Sequence, residues 1–204
     1  MISSTTKIIG VTGGIAAGKS ASTNIIRELG HVVICADDIA RQLTDPDGAA
    51  YPMVLRLFGK EFLKPDLSLN RPMMASVVFK QAQTRKRLES ILHPLVRAEI
   101  IKLIEQQKKL GTKLVFLDIP LLFESNMDRL CDLTVCIATP QYLQLLRLKK
   151  YRSMRASEAL RRIRAQMPLR EKKLRADVVI DNRGTLSMLR KKWQRLCQEF
   201  GSNE

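Results

Sequence analysis

Residues 13–20 read Gly-Gly-Ile-Ala-Ala-Gly-Lys-Ser. The spacing G-x-x-x-x-G-K-[ST] suits phosphate chemistry, because the backbone N–H groups of such a turn converge on an anion. A helix starting at its end adds the positive end of its dipole. Lys19 then reaches the outer phosphates, and Ser20 offers a hydroxyl to Mg²⁺. Gly13, Gly14, Ile15, Ala16, Ala17, Gly18, Lys19, Ser20 and Ala21 are therefore the expected nucleoside triphosphate contacts.

Other residues could complete that chemistry. Asp37 lies just past the apolar run Val32-Val33-Ile34-Cys35. A carboxylate there could orient an attacking hydroxyl and accept its proton, or it could simply cap the following helix. Asp118 ends the run Leu114-Val115-Phe116-Leu117. In a chain with a phosphate loop it is the expected second partner of Mg²⁺, acting through water because that ion keeps much of its hydration shell. The alternative is a carboxylate bonded to amides of the next loop. His93 and Arg97 stand four apart and would share a helix face, with Arg97 able to hold a phosphate bidentately. Arg147 opens an arginine- and lysine-rich stretch to Arg164 from which a mobile helical lid could bring charge onto transferring phosphates. Asn182 falls just beyond a short apolar run, placed for a base or ribose contact or as an ordinary turn residue.

These residues need a scaffold that brings them to one edge. Short β-branched runs at 7–12, 32–35, 114–118, 133–137 and 178–180 read as strands buried on both faces. Helical patterns at 19–29, 37–44, 141–165 and 185–199 alternate with them, which predicts an α/β fold with a doubly wound parallel sheet. Ligands of such sheets sit at the carboxyl ends of the strands, where residues 13–20 fall. The stretch from Asp37 to about Thr112 is too long for one crossover and reads mostly helical, over 51–58, 72–80 and 84–109, with turns at Asp45-Pro46-Asp47-Gly48 and Lys64-Pro65-Asp66. It predicts a helical insertion suited to a second substrate.

Bulk properties narrow the class. The 204 residues, 45% hydrophobic, suffice for one sizeable core and one inserted subdomain. No apolar run approaches a membrane span, and the opening residues lack the layout of a signal peptide. Cys35, Cys131, Cys136 and Cys197 form no C-x-x-C pair, which points to a reducing cytoplasm rather than a disulfide or zinc scaffold. The net charge of +15 is uneven: residues 141–204 hold 17 Lys and Arg against 6 Asp and Glu. That excess suits an anionic partner, either a multiply phosphorylated small molecule or nucleic acid. Nucleic acid is disfavoured, since aromatics are 5% of the chain and none interleaves with the basic stretch.

Several segments, taken in order, resemble the dephospho-CoA kinase family. They are Ile9–Ile15 with Gly18-Lys19-Ser20, Ala36-Asp37 with Ile39-Ala40-Arg41, and Leu92-His93-Pro94-Leu95-Val96-Arg97. Further on come Asp118-Ile119-Pro120-Leu121-Leu122-Phe123-Glu124, Arg162-Ile163 with Gln166, Ala176-Asp177, and Ile180-Asp181-Asn182-Arg183-Gly184. The resemblance spans about residues 8–187. It implies a P-loop NTPase resembling the nucleoside monophosphate kinases, with a five-stranded parallel sheet, a core of 1–36 and 112–204, a lid at about 145–170, and a dephospho-CoA-binding insertion at 37–111. It implies that ATP, with Mg²⁺, phosphorylates the ribose 3′-hydroxyl of dephospho-CoA to give CoA and ADP, the last step of coenzyme A synthesis. Asp37 would be the general base. Lys19 and Arg147 would be catalytic, and Asn182 would lie on the adenine side. Arg41, His93, Arg97, Leu121 and Phe123 would contact the acceptor. A monomer or weak homo-oligomer is expected. A nucleoside monophosphate kinase and a nucleic-acid-binding P-loop ATPase are the competing readings. The chain departs from the family pattern at Cys35, where an Asp is usual, at Ala16 and Ala17, where Gly and Ser are common, and at Tyr151, where an Arg is common.

Overall fold

Strand β1 (Lys7–Gly13) is buried at every position after Lys7. Such a strand belongs in the middle of a parallel sheet, where both faces are covered. In the computed structural model, which describes residues 6–202, β1 lies there. With β2 (Val32–Cys35), β3 (Leu114–Asp118), β4 (Leu133–Ala138) and β5 (Val178–Asp181) it forms a five-stranded parallel sheet of order β2-β3-β1-β4-β5. The register sets Val11 beside Asp118 on one flank, and Gly13 beside Ile137 on the other. Since β3 and β4 flank β1 on opposite sides, the crevice at the end of β1 is where the winding direction reverses. The expected α/β parallel sheet is therefore borne out. The opening residues, read above for a targeting signal, fall mainly outside the described residues.

The chain divides into two compact units: residues up to Ile34 together with those from Ile104 onward, and Cys35–Leu103. In the first, helices α1 (Lys19–Glu28) and α9 (Leu186–Ser202) pack on each other and on the sheet. Their apolar stripes bury Ile25, Ile26, Leu189, Trp193 and Phe200 against Ile9, Val11 and Phe116. Phe116 and Trp193 meet edge to face, with ring centroids 6.0 Å apart.

The second unit contains α2 (Ala36–Leu43), α3 (Tyr51–Phe58), α4 (Arg71–Lys80) and most of α5 (Ala82–Lys109). Its core is Ala50, Val54, Phe58, Phe62, Leu69 and Met74. The Asn70 side chain accepts the Met73 N–H and so caps α4. Arg71 donates to Thr44 Oγ1 at 2.8 Å, and to the Arg41 carbonyl and Asp45 Oδ1 at 3.0 Å, tying α4 to the end of α2.

The single helix expected over 141–165 is two, α6 (Gln141–Arg152) and α7 (Ala156–Arg164). Ser153 takes a left-handed conformation, φ 48°, and Met154 folds back so that its N–H reaches the Leu148 carbonyl. The Ser153 N–H reaches the same carbonyl, the 6→1 bond of a helix end, and the buried Met154 and Leu148 side chains pack together. A further helix, α8 (Leu169–Arg175), was not expected, because Leu-Arg-Glu-Lys-Lys-Leu-Arg shows no apolar stripe.

Candidate active site

The loop leaves β1 at Gly13 and enters α1 at Lys19. Gly18 occupies the N-cap position with φ 102°, a region that glycine enters without steric cost, and any side chain there would run into the Asn182 amide. Ala16 also has a positive φ, 56°, which costs a residue with a Cβ about 1–2 kcal/mol. Its methyl group packs against the cluster of Leu148, Met154 and Ala159, which offsets part of that cost.

The loop carbonyls are held from the β4–β5 side. The Ala17 carbonyl accepts from Asn182 Nδ2 at 2.7 Å, Thr139 Oγ1 at 3.1 Å and Arg147 Nη1 at 3.3 Å. Arg147 also donates to the Ala16 carbonyl at 3.3 Å and to the Asn182 carbonyl at 2.9 Å. In a trans peptide the N–H points opposite to the C=O. Fixing the Ala17 carbonyl toward these donors therefore turns the Gly18 N–H the other way. The α1 N-terminus follows, and its first turn carries no acidic residue to compete for an anion.

Lys19 Nζ forms an ion pair with Asp118 Oδ1, and Asp118 is 4% exposed at the end of β3. Ser20 is exposed one residue into α1. The group is electropositive, with one carboxylate at its base. Neighbouring thiols take no part: burial pushes Cys131 up to about 12 and Cys136 up to about 11, so neither supplies a thiolate near neutral pH. The hydrogen bond from Arg183 holds the Asp181 carboxyl, at the end of β5, below its ordinary range.

The first unit thus brings together Gly13, Gly14, Ile15, Ala16, Ala17, Gly18, Lys19, Ser20, Ala21, Asp118, Arg147 and Asn182. Leu121 is half-buried beyond β3. Phe123 is buried beneath the Arg175 guanidinium, 4.7 Å from its ring centroid. Asp37, Arg41, His93 and Arg97 belong to the second unit. Asp37 is exposed in the first turn of α2, and Arg41 is one turn further on. The N-cap of that helix is Cys35, without a side-chain cap, so Asp37 does not occupy the capping position. His93 is exposed and Arg97 half-buried, four residues apart on α5. Tyr151 is exposed beside Lys150.

Sequence reasoning missed Thr139. It is 1% exposed, donates to two carbonyls and accepts from Arg147. Its position immediately after β4 was the available signal. Thr139→Val keeps the shape and removes the hydroxyl, so it should lower the unfolding free energy by about 1–3 kcal/mol in urea. A loss under about 0.5 kcal/mol would show that the carbonyls find other partners.

A parallel sheet whose winding reverses at β1, with a glycine loop, a lysine and a helix start at that point, defines a P-loop nucleotide-binding protein. The profile of the dephospho-CoA kinases matches residues 7–187. A dephospho-CoA kinase of Bacillus thuringiensis subsp. konkukian is 44% identical over 195 residues, covering 96% of this chain and 98% of its own. Among solved structures, a Thermus thermophilus protein is 33% identical with a TM-score of 0.80, covering 96% of this chain and 98% of that one. The dephospho-CoA kinase of Campylobacter jejuni is 29% identical with a TM-score of 0.72, covering 95% of this chain and 96% of its own. The chain belongs to the dephospho-CoA kinase family. No helix among the described residues is long and apolar enough to cross a membrane.

Proposed function

We infer that this protein transfers the γ-phosphoryl group of ATP to dephospho-CoA, giving CoA and ADP in coenzyme A biosynthesis. The observation that carries this reading is the Gly13–Ser20 loop with Lys19 set on Asp118, in a chain that matches the family nearly end to end. The acceptor atom is the ribose 3′-hydroxyl. Its oxygen bonds to Pγ while the bond from Pγ to the β,γ-bridging oxygen breaks, and its proton passes to Asp37.

The loop amides and Lys19 take up the negative charge that shifts toward the leaving ADP. With ATP in place, Lys19 exchanges its contact with Asp118 for one with the outer phosphates. Ser20 and Asp118 are hard oxygen donors, and among the described residues no group of three His, Cys, Asp or Glu side chains offers another metal site. That donor set fits Mg²⁺, which would be held by the Ser20 hydroxyl and, through water, by Asp118, and would supply charge neutralisation on the phosphates. Arg147 was expected to act on the transferring group. Its Nη atoms are instead bonded to the Ala16, Ala17 and Asn182 carbonyls, which supports a role in shaping the loop. Arg41, His93 and Arg97 contribute on the acceptor side, and the helical unit of Cys35–Leu103 receives dephospho-CoA. The segment of α6 and α7 acts as the lid.

The test is a coupled assay with ATP, Mg²⁺ and dephospho-CoA, with AMP, CMP and shikimate as rival acceptors. Turnover confined to dephospho-CoA is expected; its absence with folded protein would sink the reading. Lys19→Met should reduce kcat/KM for ATP by about 10²-fold, the usual consequence of losing one charge-stabilising donor. A reduction of less than about threefold would remove Lys19 from the mechanism.

A further inference from the structure

Gln166, in the turn between α7 and α8, reaches back to the phosphate loop. Its Oε1 accepts the Ile15 N–H at 3.2 Å. The N–H and C=O of one trans peptide point in opposite directions. On the far side of the same plane, the Gly14 carbonyl accepts the Ala17 N–H at 3.0 Å. Those two bonds hold the Gly14–Ile15 peptide from both edges, and the turn they close contains Ala16 with its positive φ.

The backbone around Gln166 is itself fixed. The Met167 N–H donates to Glu124 Oε1 at 3.0 Å. The same oxygen takes Lys172 Nζ at 2.9 Å. Lys172 is fully buried and also donates to the Pro120 carbonyl at 2.9 Å, which in turn accepts the Thr12 hydroxyl at 3.0 Å. On the other flank, Ile15 and Ala16 pack with Ile163 of α7 against Leu148, Met154 and Ala159. The loop's outer edge is thereby joined to α6 and α7 by apolar contact, and to the following turn by one directed hydrogen bond.

We propose that Gln166 is a positioning residue for the phosphate loop: its side-chain oxygen sets the Gly14–Ile15 peptide, so the placement of the α7–α8 turn governs nucleotide affinity. The inference rests on the reading that this loop binds ATP. It assigns Gln166 no contact with substrate. The Glu124–Lys172 pair acts behind it, holding the turn from which Gln166 projects.

The test compares the full-length wild type with Gln166→Leu and Gln166→Glu, by amide hydrogen exchange and by calorimetric titration with ATP. In Gln166→Leu, exchange at Ile15 accelerates and Kd for ATP rises about threefold to tenfold, as expected for one hydrogen bond, while Tm falls by no more than about 4 °C. Gln166→Glu keeps an acceptor oxygen and restores protection at Ile15. Unchanged Ile15 exchange in Gln166→Leu overturns the proposal. So does a fall in Tm with exchange faster throughout the chain, which would mark a merely structural residue. Exchange is read without any acceptor, so a wild type inactive on dephospho-CoA would refute the proposed function and leave this result standing on its own.

Discussion

Asp37→Asn lowers kcat by about 10²–10⁴ and leaves KM for ATP near its wild-type value. Asparagine keeps the size of the side chain and an acceptor oxygen but cannot take a proton. The carboxylate stands exposed in the first turn of α2. Because Cys35 rather than Asp37 holds the N-cap position, the substitution removes no cap. Steady-state kinetics with both substrates, alongside thermal unfolding, make the check. A kcat within about threefold of wild type would leave Asp37 without a role as base.

Lys172→Met lowers the unfolding free energy by about 3–5 kcal/mol. Lys172 has no solvent exposure, and its ammonium is shared between Glu124 and the Pro120 carbonyl. Glu124 Oε2 is also buried and has no hydrogen-bond partner, so that carboxylate is compensated through Oε1 alone, by the Lys172 ammonium and the Met167 N–H. Deleting the lysine strands a charge in a poorly solvated place, and the loss is a large fraction of the 5–15 kcal/mol typical of a whole domain. Urea unfolding reads it directly. Adding Glu124→Gln to Lys172→Met removes the stranded charge and should recover part of the loss. A single-variant loss under about 1 kcal/mol, or no recovery in the double variant, would show that water reaches the pair.

These two residues mark how far the chain could be read without its structure. Asp37 was visible because its meaning is local: a carboxylate directly after an apolar run lands at the carboxyl edge of a sheet. The same holds for the Gly13–Ser20 loop and for Asp118, each placed by the strand before it. Lys172 was invisible because it sits among Arg170, Lys173 and Arg175, and nothing in that basic stretch distinguishes a buried ammonium from solvated ones. Its partners lie about fifty residues away in sequence. Arg147 stood out in the sequence as one arginine of a basic stretch, whereas its bonds to loop carbonyls depend on where β1, β4 and β5 end in space.

The sequence by itself determined the strands, the phosphate loop, the parallel α/β class and the family, because hydrophobic periodicity and short motifs are properties of neighbouring residues. Only the tertiary structure decided that the helix breaks at Ser153, that Ala16 bends into the left-handed region, and that Thr139, Arg147 and Asn182 meet at the Ala17 carbonyl. It also decided that Gln166 reaches Ile15. Each depends on a backbone group finding a partner more than a hundred residues away, or on a buried contact repaying local strain, and no local pattern carries that information.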